Sequence, residues 1–242
     1  MTSVNPVPDR LVNLRDLGAG GPLPVAGMLL RSDAPMSSDL RPELGTWPPR
    51  TVIDLRGEAE RREVHPLAGE ATVVDLPLLG GGRSRREPRR WPDRLAEMYL
   101  GLLTAPSSDR LVEAIAVIAE AEPPVLVHCT AGKDRTGVTV AVALRLVGIE
   151  SEEIVADYLL TDAAMPQVLA RMSATVRERT EGTSLATPPP HIAATLREAM
   201  VELIEALDAF DGGAVGWYLS RGGSEATLTQ LRRRLLGAPT AH

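Results

Sequence analysis

The chain has 242 residues, of which 44% are hydrophobic and 24% charged, with a formal net charge of −6 at pH 7. That balance excludes a collagen-like or largely disordered chain, and an acidic sum gives no electrostatic footprint for nucleic acid. One cysteine excludes an intrachain disulfide and a multi-cysteine metal site. No apolar run reaches the ~18 residues of a membrane span. The start, Met1 to Pro6, lacks the basic and apolar stretches of a secretory signal. The expectation is therefore a cytoplasmic protein, with leaderless export left open.

Four β-like runs lie in the first half: Met28–Arg31, Thr51–Leu55, Ala71–Leu76 and Pro124–His128. The later three are continuous apolar or β-branched runs, the pattern of buried parallel strands. Helical spacing puts Leu95, Met98, Tyr99 and Leu102 on one stripe, and Leu111, Ile115 and Ile118 on another. Arg135–Val147 is apolar nearly all round, as a buried helix would be, with Gly148 as its C-cap. Helical segments follow at Glu152–Leu160, Ala163–Arg179, Ile192–Ala209 and Ser224–Leu236, with Ser151 and Ser224 as N-caps. Strands followed by helices predict one α/β domain with a mostly parallel central sheet flanked by helices. Sheet and loop would occupy residues 11–148, and a helical part 151–236.

The chain's one lysine, Lys133, stands against 25 arginines and falls four residues after its one cysteine, Cys129. The stretch between strand and buried helix reads His128-Cys129-Thr130-Ala131-Gly132-Lys133-Asp134-Arg135-Thr136-Gly137. A glycine-containing turn of this kind can gather successive backbone N–H groups into one concavity, and the helix start adds more. Such a site suits a tetrahedral dianion, held by Thr130, Ala131, Gly132, Lys133, Arg135 and Thr136. The same amides stabilise a Cys129 thiolate as nucleophile. Arg135 can reach back with its planar fork to phosphoryl oxygens. Thr136 can donate its hydroxyl to the thiolate, and Asp134 is the nearest carboxylate to protonate a leaving oxygen. The alternative is a buried inert cysteine beside a loop that only turns the chain.

These ten residues resemble the signature of the cysteine-dependent protein tyrosine phosphatase superfamily, His-Cys-x5-Arg-Ser/Thr, in the form carried by a bacterial tyrosine/dual-specificity branch. Asn13–Gly18, Leu30–Ser32, Val52–Arg56, Val155–Leu159 and Tyr218-Leu219 are similar to that branch as well. The resemblance implies a phosphatase fold and a two-step hydrolysis through a cysteinyl-phosphate, with no cofactor or metal. The four histidines, His65, His128, His191 and His242, are scattered in sequence, and no ligand cluster is expected. His128 would orient the loop by hydrogen bonding.

Three aspartates compete as general acid. Trp91-Pro92-Asp93 spells the acid loop of eukaryotic tyrosine phosphatases, but Pro and Asp there also suit a helix start. Asp75 follows a strand and precedes Leu76-Pro77-Leu78. Asp134 lies within the loop, where the bacterial branch and myotubularin-like phosphatases carry an aspartate before the arginine. Asp134 is the expected acid, with Asp93 and Asp75 as alternatives.

The expected partner is a phosphorylated protein or a phosphoinositide, with phosphate or sulfate bound in the loop. Lys133 adds a second cation, as in phosphoinositide phosphatases, and can contact a second phosphate. Arg83–Arg90 carries five arginines and one acid, either a solvated loop or a dock for an anionic peptide or lipid head group. The branch also implies a helical lid, for which Ala163–Arg179 and the Pro-rich stretch after it are candidates. A rhodanese-like sulfurtransferase and a non-enzymatic phosphate-binding pseudophosphatase are the rivals.

Overall fold

Successive residues of a strand face opposite sides of a sheet, and the strand runs here carry apolar side chains on both sides. The computed structural model describes residues 8–61, 64–78, 94–179 and 197–237. Among these, five strands form one sheet: β1 (Arg15–Asp16), β2 (Leu29–Ser32), β3 (Thr51–Asp54), β4 (Thr72–Asp75) and β5 (Val125–His128). Their order is β1-β2-β5-β3-β4, with β1 antiparallel to β2 and every other pair parallel.

The alternation sorts the core into two layers. Leu29, Ile53, Val125 and Val127 join the main cluster, which the helices complete. Leu30, Val52 and Leu126 face the other way and are covered by Leu44, Trp47 and Leu67 from connecting segments. Helices thus cover one face and loops the other. Truncating fully buried Leu126 to alanine would cost about 2–5 kcal/mol.

Helices α1 (Leu95–Leu102) and α2 (Ser107–Glu120) lie between β4 and β5, and α3 (Asp134–Leu146) follows β5. Every residue of α3 from Arg135 to Leu144 is buried. The helix ends at Gly148, whose φ of +91° is open to glycine. Gly148 N–H donates to Arg145 O and Ile149 N–H to Leu144 O, a Schellman pair that satisfies the last carbonyls. The remaining helices are α4 (Ser151–Leu159), α5 (Thr161–Arg179), α6 (Arg197–Asp208), α7 (Gly213–Ser220) and α8 (Glu225–Leu236). Among the described residues, no helix is long and apolar enough to cross a membrane.

Several expectations need correction. β4 is an edge strand, with Thr72 and Asp75 exposed: among the described residues, nothing pairs with its outer side. Its β-branched run reflects strand geometry rather than full burial. β1 has only two residues and no apolar run to reveal it. Ser224 caps α8 as expected, accepting from Thr227 N–H at 3.1 Å. At α4 the cap is Glu150, whose side chain makes no capping bond, and Ser151 is already helical. Helix α7 was unforeseen because two glycines, Gly213 and Gly216, lower its propensity. Packing holds it: Trp217 and Tyr218 are buried, and Trp217 Nε1 donates to Leu103 O at 3.2 Å. Residues 192–196 of the helix expected from Ile192 lie outside the described residues.

Candidate active site

Parallel strands present their C-terminal ends to ligands, and here those ends deliver the site. β5 ends at His128 and leads into Cys129, which is 2% exposed. The neighbouring strands β2 and β3 run on into Ser32-Asp33 and Leu55-Arg56 at the same level, since Ser32 and Asp54 both register with His128.

Four consecutive carbonyls of the loop are held by protein donors. Cys129 O lies 3.1 Å from His128 Nδ1. Thr130 O accepts from Ala34 N–H at 3.1 Å. Ala131 O and Gly132 O each accept from Asn13 Nδ2 at 3.2 Å. Gly132 O also accepts from Arg31 Nη2 at 2.9 Å. In a trans peptide the N–H points opposite to its C=O, so the amides of residues 130–133 turn away from these donors. Among the described residues, no protein acceptor takes the amides of Thr130, Ala131, Gly132, Asp134, Arg135 or Thr136. The last three belong to the first turn of α3, where helix N–H groups have no internal partner. Gly132 makes the turn with φ +67°, and a Cβ there would sit 2.2 Å from Ser32 O. Only glycine fits.

Behind the loop stands a buried ion network. Asp157, on α4, accepts from Arg15 Nε at 2.7 Å and from Arg31 Nη1 at 2.5 Å. Burial alone would raise its pKa, but the two guanidinium groups outweigh this and hold it below the usual carboxylate range. Arg15 is lowered to about 10, first by burial and then by neighbouring Arg31. Arg15 Nη1 also donates to Asn13 Oδ1 at 2.7 Å, which turns the Asn13 amide nitrogen toward the loop carbonyls.

Arg135 is 7% exposed and is held by Glu60 end-on, Nη1 to Oε2 at 2.7 Å and Nη2 to Oε1 at 2.8 Å. Nη1 also donates to Leu55 O at 3.2 Å. A guanidinium has five N–H groups. Among the described residues, the Nε–H and the second Nη2–H, which share the other edge, have no acceptor. Burial works against the charge of Arg135, but the Glu60 hydrogen bonds and the negative charges of Cys129, Glu60 and Asp134 raise its pKa on balance. Glu60 is lowered to about 2: burial opposes this, and the bonds from Arg135, Thr130 and the Gly57 amide prevail.

Thr130 Oγ1 donates to Glu60 Oε1 at 2.6 Å, so its side chain braces Glu60 while its amide faces the cradle. Thr136 is fully buried and, among the described residues, its hydroxyl has no partner, so the bond to the Cys129 sulfur expected from sequence is not made. The Lys133 side chain is 2% exposed, with Nζ 3.4 Å from Asp134 Oδ1. The expected second cation is therefore turned inward against the loop aspartate. Asp134 opens α3, is 24% exposed, and accepts from Tyr99 Oη at 2.7 Å. Asp75 is 56% exposed, pairs with Arg61, and stands two strands from β5, about 10 Å away. Asp93 and the arginine-rich loop 83–90 lie outside the described residues, as does the Pro-rich part of the candidate lid. The other lid candidate, α5, is anchored: Arg171 is 2% exposed and its guanidinium pairs with Asp33 and Asp39.

The histidines are not all scattered in space. His65 Nε2 lies 3.0 Å from His128 Nε2, with Asp54 beside them. Leu67 N–H donates to His65 Nδ1 at 3.1 Å, so neutral His65 carries its proton on Nε2 and donates to His128. His128 then carries its proton on Nδ1 and donates to Cys129 O. Arg56 binds both oxygens of Asp54. These bonds occupy the atoms a metal ion would need, and the triad works as a hydrogen-bonded support. Burial lowers the pKa of His128 to about 4, against the pull of Asp54.

Sequence reasoning missed Glu60, His65, Tyr99 and the bracing roles of Asn13, Arg15, Arg31 and Asp157. The last four stand in segments whose family resemblance was visible. Their partners are more than 100 residues away, so no local spacing could show the contacts.

The site thus joins a buried cysteine at the end of a central parallel strand, a cradle of amides and an arginine at the start of the following helix. The chain matches the tyrosine phosphatase family over residues 8–237 and belongs to that family. It is 32% identical over 152 residues to the triple specificity protein phosphatase PtpB of Mycobacterium tuberculosis, covering 59% of this chain and 55% of that protein. It is 31% identical over 247 residues to a protein of Cupriavidus necator named as a tyrosine-protein phosphatase, covering 94% of this chain and 87% of that protein. A tyrosine-protein phosphatase of Nostoc commune is 33% identical over 196 residues, covering 76% of this chain and 65% of that protein. The chain thus spans little more than half the length of the mycobacterial relative.

Proposed function

We propose that the chain is a phosphoric monoester hydrolase that removes phosphate from protein phosphotyrosine through a cysteinyl-phosphate. The observation that carries this reading is the row of four loop carbonyls tied back by protein donors, which turns the amides of residues 130–133 to the other side beside Cys129. Three more amides follow at the start of α3.

In the first step the Cys129 thiolate attacks phosphorus in line, the S–P bond forms and the P–O bond breaks. Asp134 transfers its proton to the departing oxygen. The three equatorial oxygens are held by the loop amides and by the Nε/Nη2 edge of Arg135, most tightly when the group is trigonal. In the second step a water attacks phosphorus, Asp134 takes back a proton, and inorganic phosphate leaves with the thiolate restored.

The test is a panel of phosphotyrosine, phosphoserine and phosphothreonine peptides and phosphoinositide vesicles, run on wild type and Cys129→Ser. The proposal expects phosphotyrosine turnover in wild type, none in Cys129→Ser, and orthovanadate binding kept by the variant. Wild type that binds phosphate without turnover would make the protein a binder. Preference for phosphoinositide would move the substrate class; buried Lys133, held beside Asp134, counts against it. For the acid, Asp134→Ala should slow phosphotyrosine by about 100-fold and p-nitrophenyl phosphate far less, since an acidic leaving group needs no proton. Loss on Asp93→Ala or Asp75→Ala, with Asp134→Ala unaffected, would reassign it.

A further inference from the structure

Two buried tyrosines from different helices converge on the loop aspartate. Tyr99 of α1 and Tyr158 of α4 are fully buried, and their rings meet edge to face with centroids 6.1 Å apart. Tyr99 Oη donates to Asp134 Oδ1 at 2.7 Å, and the two phenol oxygens are 2.7 Å apart. A phenol has one proton. Tyr99 gives its proton to the carboxylate, so Tyr158 is the donor to Tyr99. The chain of donation runs Tyr158 to Tyr99 to Asp134.

This chain, with Lys133 Nζ at 3.4 Å, loads one oxygen of Asp134. Among the described residues, no side chain or amide donates to the other oxygen, Oδ2. A carboxyl whose Oδ1 already accepts from a phenol and faces an ammonium takes its proton on Oδ2. The carboxyl is also fixed in rotation, because Tyr99 is itself fixed by its place in the core.

We propose that Tyr99, backed by Tyr158, is a positioning residue for the acid–base step. It locks the Asp134 carboxyl in one orientation and commits Oδ2 as the oxygen that hands the proton to the leaving group. The relay thereby makes the site suited to esters of poor leaving groups, such as tyrosine phenol, rather than to activated esters alone. This inference rests on Asp134 being the general acid, as proposed above.

The test is a series of aryl phosphates of graded leaving-group acidity, from p-nitrophenyl to phenyl phosphate and a phosphotyrosine peptide. It is run on wild type, Tyr99→Phe, Tyr158→Phe, Asp134→Asn and the Tyr99→Phe/Asp134→Asn double variant. Tyr99→Phe should lower kcat for phenyl phosphate and phosphotyrosine by about 10-fold or more, with KM held and p-nitrophenyl phosphate within about three-fold. Tyr158→Phe removes only the outer bond and should give a smaller split of the same sign. The double variant should lose nothing beyond Asp134→Asn, because Tyr99 acts through that carboxyl. Tyr99→Phe that slows all esters equally, or none, would overturn the inference while a leaving-group split in Asp134→Asn keeps the acid assignment. An Asp134→Asn variant without such a split would remove the assignment and the inference together.

Discussion

Glu60 and Arg135 face one another end-on, their four polar atoms closing a bidentate pair at 2.7 and 2.8 Å. The pair fixes which edge of the guanidinium is left to face a ligand. Glu60→Gln keeps the volume but offers one acceptor and sets an amide N–H₂ against a cation. The expected result is a fall in kcat of about 10- to 100-fold with a rise in KM for phosphate esters. Steady-state kinetics on p-nitrophenyl phosphate checks it.

Stability should fall in acid in two stages. His128 is buried neutral with its pKa lowered to about 4, whereas the unfolded chain titrates near 6.5. The unfolded state therefore takes up a proton that the folded state refuses, and stability declines as pH drops from about 6.5 to about 4. The full loss is about 3 kcal/mol at ~1.4 kcal/mol per tenfold. His65 is lowered as well, mainly by burial, and acts in the same direction. Glu60 sits at about 2 against an ordinary 4.5, so its contribution holds above about 4.5 and is lost as pH falls through about 2. Urea denaturation from pH 7.5 to 3 should show the first stage, and His128→Asn should flatten it.

Asp157 joins two guanidinium groups beneath the loop that, among the described residues, pair with no other carboxylate. Asp157→Ala leaves buried Arg31 and partly buried Arg15 without their counter-charge, at a cost of about 3–5 kcal/mol in urea denaturation. Because Arg31 also holds Gly132 O, activity should fall even where the variant remains folded.

Gly132→Ala meets two obstacles at once, a φ of +67° and Ser32 O at 2.2 Å from the new Cβ. Neither can relax without moving the loop off Asn13 and Arg31. Turnover should fall by about 100-fold or more, with orthovanadate affinity falling alongside. Isothermal titration separates this from a loss of chemistry alone, which would spare binding.

The readable parts of this molecule were those governed by neighbours in sequence. The apolar run before Cys129, the helix Asp134–Leu146 and its glycine stop are local patterns, and the structure has them within a residue or so. Glu60 was hidden because it reaches Arg135 across 75 residues, from a connection with no helix or strand to mark it. His65 and His128 meet across 63 residues, so their distance in sequence misled. Lys133 stands where a second phosphate contact would be expected, but packing turned its side chain inward, which spacing cannot reveal.

The connection from β3 to β4 carries Glu60 and His65, and Leu67 two residues further on plugs the loop-covered core layer. Its ends are clamped to neighbouring strands, by Leu55 N–H on His128 O and by Thr72 N–H on Arg50 O. Withdrawing Leu67 would pull away the braces of Arg135 and His128 in one event. Hydrogen exchange along this segment and alkylation of the Cys129 thiol should therefore share one opening rate, so that fraying of an apolar latch sets how often that sulfur is exposed to reagents.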